Sequence, residues 1–166
     1  MLHHVSFSVH DPNRAAAIIS DLIAARPVRA PSPPFPAGSW FVILGDATGS
    51  LIELTPWGSV LAPDQKGIAQ DPEMRPHSAS HLLVGTPLAT VEILALAVKN
   101  ELRATEVSAG LFQFVKVWIE DSLLLELLPP EHKASYVECF GTIGAPSLDG
   151  KLRALEQQIS GQTPRP

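Results

Sequence analysis

The sequence predicts an α+β protein of two βαβββ units followed by an extra C-terminal helix. Three observations carry this expectation. The order strand, helix, weak strand, strand, strand occurs twice. Both copies open with a histidine at the start of an apolar strand, and both close on Glu-Leu-x-Pro at the end of one, Glu53 to Pro56 and Glu126 to Pro129. After the second copy, Leu148, Leu152, Leu155 and Ile159 fall at helical spacing. A repeat of this length in only two copies is a duplicated unit and not a solenoid.

Each element has a local reason. His4-Val5-Ser6-Phe7-Ser8-Val9 alternates, with Val5, Phe7 and Val9 on a core face and His4, Ser6 and Ser8 opposite. Asp11-Pro12 reads as helix cap and first helical residue, and Ala16, Ile19, Leu22 and Ile23 form the stripe of a helix ending near Ala25. Residues 26–38 carry five prolines and admit at most a short strand near Val28. Trp40 to Leu44 and Leu51 to Thr55 are strands around a Gly/Asp turn, and Pro56 stops the second. In the second unit, His81 to Gly85 is a strand and Pro87 opens a helix through about Asn100. Thr105 to Ser108, Leu111 to Ile119 and Leu123 to Leu128 are the remaining strands. The chain thus divides into a first unit at 1–57, a connection at 58–79, a second unit at 80–130 and a tail at 131–166, all in one compact domain. The tail is expected to fray over Gly161 to Pro166.

Composition limits the function. The chain has 166 residues, 45 % hydrophobic and 17 % charged, with a net charge of −5. That leaves enough apolar side chain for a core, and no basic stripe for nucleic acid. No apolar run approaches the ~18–20 residues of a membrane span, and Met1 to Val5 shows no signal-peptide start. The single cysteine, Cys139, excludes a disulfide framework and a multi-cysteine zinc site; it reads as a buried or idle thiol. A cytoplasmic protein with a small-molecule substrate is expected. The low charge and the amphipathic tail helix add the expectation of a homodimer.

Four residues stand at equivalent places in the repeat: His4, Glu53, His81 and Glu126. Glu126 interrupts a leucine run, where a carboxylate is costly unless paired or bound to a metal. Two imidazoles and two carboxylates converging from paired units would hold a divalent first-row metal with positions open for substrate. The other histidines, His3, His10, His77 and His132, have no repeat counterpart and read as surface residues, with His3 one register step from His4. Gly141-x-x-Gly144 lacks the strand–turn–helix setting of a phosphate loop. Phe112, Phe114 and Trp118 share a strand face with Lys116 and read as core or pocket wall.

The run Leu2-His3-His4-Val5-Ser6-Phe7-Ser8-Val9-His10-Asp11-Pro12 resembles the opening strand and helix start of the vicinal oxygen chelate superfamily. That superfamily includes glyoxalase I, methylmalonyl-CoA epimerase, extradiol dioxygenases, and the bleomycin and fosfomycin resistance proteins. The resemblance spans residues 2–57 and 80–130. It implies a cupped mixed sheet around a divalent metal (Zn, Ni, Co, Mn or Fe) with His4, Glu53, His81 and Glu126 as ligands. The chain departs from the pattern in its proline-rich 26–38 stretch, in the lack of an Asp-Pro start in the second unit, and in its added tail. A full His-Glu-His-Glu set is more similar to glyoxalase I than to the two-histidine, one-carboxylate iron site of a dioxygenase. A metal-dependent lyase or isomerase is therefore expected, with Glu126 or Glu53 moving the proton. An extradiol-type dioxygenase and a non-catalytic drug-binding protein are the alternatives.

Overall fold

The computed structural model describes residues 3–61, 68–71 and 73–162. The first unit is β1 (His4–Val9), α1 (Pro12–Ile23), β2 (Arg26–Arg29), β3 (Trp40–Ile43) and β4 (Leu51–Pro56). The connection contains β5 (Ser59–Val60) and β6 (Ala69–Gln70). The second unit is β7 (His81–Gly85), α2 (Thr90–Lys99), β8 (Arg103–Ser108), β9 (Gln113–Ile119) and β10 (Leu123–Leu128). The tail holds α3 (Pro130–Phe140), a 3₁₀ turn at Ala145–Ser147 and α4 (Leu148–Gln162).

The two units repeat in topology and in register. Each is a four-stranded mixed sheet, in the orders β1-β4-β3-β2 and β7-β10-β9-β8. In each, the first strand lies parallel to the last, and the remaining pairs are antiparallel. His4 stands opposite Leu51, and His81 opposite Leu124. Each glutamate is two residues beyond its histidine's partner, so the pairs His4/Glu53 and His81/Glu126 are equivalent in space as well as in sequence.

The alternation in each strand decides what is buried. Val9, Val42, Ile52 and Leu54 of the first sheet meet Val115, Val117, Ile119, Leu123, Leu125 and Leu127 of the second in one cluster, together with Ile19 and Leu22 of α1 and Ile93 of α2. Burying each such side chain contributes about 1.5–3 kcal/mol. Because side chains alternate, His4, Ser6, Glu53, His81 and Glu126 fall on the non-core faces. Polar ties join the units: the Thr86 hydroxyl donates to the Leu22 carbonyl, and the Glu120 carboxylate accepts from the backbone N–H groups of His10 and Asp11.

Helix α1 starts as its sequence requires, with Pro12 in the first turn and the Asp11 carboxylate accepting the Arg14 N–H at 3.0 Å. Helix α2 starts at Thr90, three residues after the expected Pro87. The Thr86 hydroxyl holds the Leu88 N–H in a local turn, and the Glu92 carboxylate takes the Ala89 N–H. Those bonds satisfy the chain outside a helix until Thr90.

The tail departs further from expectation: it forms two helices and not one. Pro129-Pro130 ends β10 and at the same point opens α3, because proline suits the first turn of a helix. The weak apolar period of α3 hid it, since aromatic contacts secure it. Tyr136 and Phe140 pack on Phe112 at ring-centre distances of 5.0 and 5.6 Å. His132, expected as a surface histidine, has a largely covered side chain whose Nε2 lies 2.9 Å from Glu106 Oε1. Gly144 has a packing reason: a Cβ there would collide with the Glu138 carbonyl. Cys139 is buried as expected. The side chain of Ile159 and residues 163–166 lie outside the described residues. No helix among the described residues is long and apolar enough to cross a membrane.

Candidate functional site

The site is built from the polar edge of each repeat. In the first unit, the β1–β4 register sets Ser6 directly opposite Glu53. The Ser6 hydroxyl donates to Glu53 Oε2 at 2.6 Å, a short charge-assisted bond that fixes the carboxylate. Glu53 is buried, at 7 % exposure, whereas His4 is exposed. The burial comes partly from the connection. Ser59, Val60, Leu61 and Ile68 line a cavity of about 250 Å³ together with His4 and Glu53. The Ser8 hydroxyl donates to the Ser59 carbonyl at 2.8 Å and so tethers that connection over the face.

In the second unit the histidine and the carboxylate meet directly. His81 Nε2 lies 3.7 Å from Glu126 Oε2. His81 Nδ1 lies 2.9 Å from the Ala79 carbonyl, which only accepts, so Nδ1 donates there. In the neutral ring the lone pair is then on Nε2, directed toward a carboxylate that also only accepts. Two acceptors facing each other are joined by a cation between them, either a proton on Nε2 or a metal ion. A histidine whose other nitrogen donates to a backbone carbonyl is the usual arrangement behind a metal ligand. The donor set and the spacing of this pair therefore suit a divalent ion with ~2.0–2.2 Å ligand distances.

The four residues are not gathered into one cluster. Among the described residues, no three His, Cys, Asp or Glu side chains lie together so as to hold an ion. His81 lines a cavity of about 490 Å³ that adjoins the first, Ser6, Phe7 and Ser8 of β1 lining both. His3, the register competitor of His4, has Nδ1 3.1 Å from the Thr48 carbonyl.

Three contributors were not singled out from the sequence. Ser6 was legible as a polar residue on the His4 face, but its bond to Glu53 depends on the parallel register. The Ala79 carbonyl has no side-chain signal at all. Lys116 stands opposite Glu126 across β9 and β10, a neighbour that only the hairpin register reveals.

No protein-family model matches the chain, and no curated protein matches it in sequence. Solved structures match its fold. A fosfomycin resistance protein, FosX, from Listeria monocytogenes superposes with a TM-score of 0.54 at 14 % identity, over 78 % of this chain and 92 % of its own. A FosX variant from the same organism, crystallised with Mn(II) and 1S,2S-dihydroxypropylphosphonic acid, gives 0.54 at 13 % identity over 84 % and 96 %. A glyoxalase family protein from Bacillus anthracis gives 0.53 at 12 % identity over 76 % and 92 %. The chain has the vicinal oxygen chelate fold of these neighbours.

Proposed function

We propose that this protein is a glyoxalase-like, metal-dependent lyase or isomerase acting on a small oxygen-chelating substrate. The observation that carries the reading is the His81–Glu126 pair, two acceptors 3.7 Å apart with the imidazole oriented by Ala79. The Mn(II) bound by a FosX neighbour supports a divalent ion on this fold. His81 and Glu126 would hold the ion, with His4 completing the set and Glu53 left free to move the proton. When bound, it supplies Lewis-acid polarisation of substrate oxygens. Glu53 carries the proton: the Ser6 bond holds Oε2 in place beside the cavity that Glu53 lines. Glu126, committed to His81, serves as the ligand.

Within one chain the four side chains are not gathered into one ligand set, although His81 and Ser6, the partner of Glu53, line one cavity. We therefore infer a homodimer in which the His4–Glu53 half of one copy meets the His81–Glu126 half of another. The reading is tested by elemental analysis of protein purified without chelator, followed by turnover assays on hemithioacetals, acyl-CoA epimers, fosfomycin and catechols. A divalent metal and turnover of one of the first two support it, and turnover of fosfomycin would keep the metal but replace the lyase or isomerase reaction. Turnover of catechols with Fe(II) would make it a dioxygenase, and ligand binding with neither metal nor turnover would make it a binding protein.

A further inference from the structure

Strand β1 ends at Val9 opposite Pro56, the last residue of β4. The next residues along the two strands, His10 and Trp57, therefore leave the sheet side by side. Their rings stack with centres 4.3 Å apart and planes 19° from parallel. The Glu120 carboxylate takes the backbone N–H of His10 and fixes that end of β1. One face of the indole is thus covered by the imidazole, and Trp57 also lines the cavity of about 490 Å³ that His81 lines. That volume is in the range of small-ligand sites. In the second unit the positions equivalent to His10 and Trp57 are Pro87 and Pro130, so the stacked pair belongs to the first half alone.

The polar wall of this cavity is built mainly of hydroxyls. Ser6, Ser8, Ser78, Ser80 and Ser122 line it, and among the described residues no carboxylate or amide side chain does. The hydroxyls are of two kinds. Ser6 and Ser8 have given their protons, to Glu53 and to the Ser59 carbonyl, and present oxygen lone pairs. Ser78 accepts the Ser80 backbone N–H and keeps its own proton, and the Ser80 and Ser122 hydroxyls make no hydrogen bond among the described residues. The wall therefore offers donors and acceptors together. A carboxylate only accepts and an ammonium only donates, whereas a hydroxyl does both. An anion here would also stand near Glu53, which holds Ser6, and Glu126, which faces His81.

We propose that this cavity binds a polyhydroxylated substrate, a sugar-like ring or chain, with its C–H face on Trp57 and its hydroxyls paired with the serines. The face of an indole carries partial negative charge and attracts the polarised C–H groups that a sugar presents between its hydroxyls. That the far end of such a molecule reaches His81 for reaction rests on the metal reading above; the binding site itself does not. Trp57, Ser78 and Ser80 are then specificity residues. Arg75 lines the cavity as well, so inorganic phosphate belongs in the test.

The test is calorimetric titration of the metal-free full-length protein in EDTA with D-glucose, D-galactose, D-mannose, D-ribose and glycerol. Inorganic phosphate and nicotinamide serve as probes of an anion site and of a bare aromatic site. At least one polyol should bind saturably, and more tightly than either of those two. Trp57→Ala should weaken that binding about tenfold or more, and Trp57→Phe should stay within about fivefold. A double variant, Ser78→Ala with Ser80→Ala, should weaken it about three- to tenfold. These serines lie on the connection, outside both four-stranded sheets, so this arm holds if Trp57→Ala fails to fold. Thermal melts matching the parent's identify the folded variants. No polyol bound by the parent, tighter binding of phosphate or nicotinamide, or polyol binding unaffected in a folded Trp57→Ala or double variant would overturn the proposal. Mn(II) titration without EDTA separates the two readings. Polyol binding in a protein with no affinity for Mn(II) would refute the metal reading and leave this site standing, and Mn(II) binding without polyol binding would do the reverse.

Discussion

The two βαβββ units share topology and register but differ in what surrounds their equivalent glutamates. Glu53 is held by a serine hydroxyl, flanked by Ser8 and Thr55, and covered by the connection between the units. Glu126 sits among Leu83, Leu124 and Leu128, faces an oriented histidine, and has Lys116 on its other side. The first half is lined with hydroxyls and holds a fixed, buried carboxylate. The second pairs an oriented imidazole with a buried carboxylate. On the proposed reading, the first half moves the proton and the second holds the metal.

Replacing each glutamate should separate those halves. Glu53→Gln is expected to lower kcat about 10²–10⁴-fold on a verified substrate while keeping most of the Mn(II) affinity. Equal loss of metal and activity would make Glu53 a ligand like Glu126 and erase the contrast. The next effect in size belongs to the other half. His81→Ala should weaken Mn(II) binding about 100-fold by titration, because the Ala79-oriented nitrogen has no substitute nearby. An unchanged affinity would mean that the 3.7 Å pair is only a surface contact. Ser6→Ala sharpens the comparison further. It should lower kcat about tenfold, the value of one charge-assisted hydrogen bond, without moving Mn(II) affinity.

Much of the fold was legible because it rests on local pattern. The alternation of residues 4–9, the Asp11-Pro12 start and the repeated Glu-Leu-x-Pro ends were each decided within a few residues, and the structure follows them. Helix α3 was not legible. Its apolar contacts are Tyr136 and Phe140 on Phe112, a tertiary arrangement without a clean helical stripe. The start of α2 was displaced by the Thr86 hydroxyl, whose partner Leu22 is 64 residues away in sequence. At the site, the repeat marked His4, Glu53, His81 and Glu126, but neither Ser6 as the partner of Glu53 nor Lys116 as the neighbour of Glu126. Both depend on strand register, which alternation alone does not set.

A smaller effect distinguishes the hairpin turns of the two halves. The β3–β4 turn is organised by Asp46, whose carboxylate accepts the backbone N–H groups of Ser50 and Thr48 and the Thr48 hydroxyl. The Ser50 backbone bond above all holds this carboxyl well below the usual carboxylate range. The β9–β10 turn instead places Glu120 and Asp121 at φ values of 53° and 56°, with the Glu120 carboxylate spent on the start of α1. A carboxyl whose folded-state pKa is depressed stabilises above its unfolded pKa and loses that contribution as pH falls. Asp46→Asn should therefore lower the melting temperature slightly at pH 7, and the difference should shrink below about pH 4. A difference that persists unchanged at pH 3 would place the stabilisation elsewhere in the turn.

The central claim, that the His4–Glu53 half and the His81–Glu126 half act together across two copies, is tested most directly by mixing chains. One chain carries His4→Ala and Glu53→Gln, the other His81→Ala and Glu126→Gln, and each alone should bind no Mn(II) tightly. A mixed dimer, isolated with two different affinity tags, has one interface carrying all four substitutions and one carrying none. Titration should find one tight Mn(II) per mixed dimer. A mixed dimer that binds no more metal than either variant alone, or a parent protein that is monomeric when loaded with Mn(II), would contradict the account.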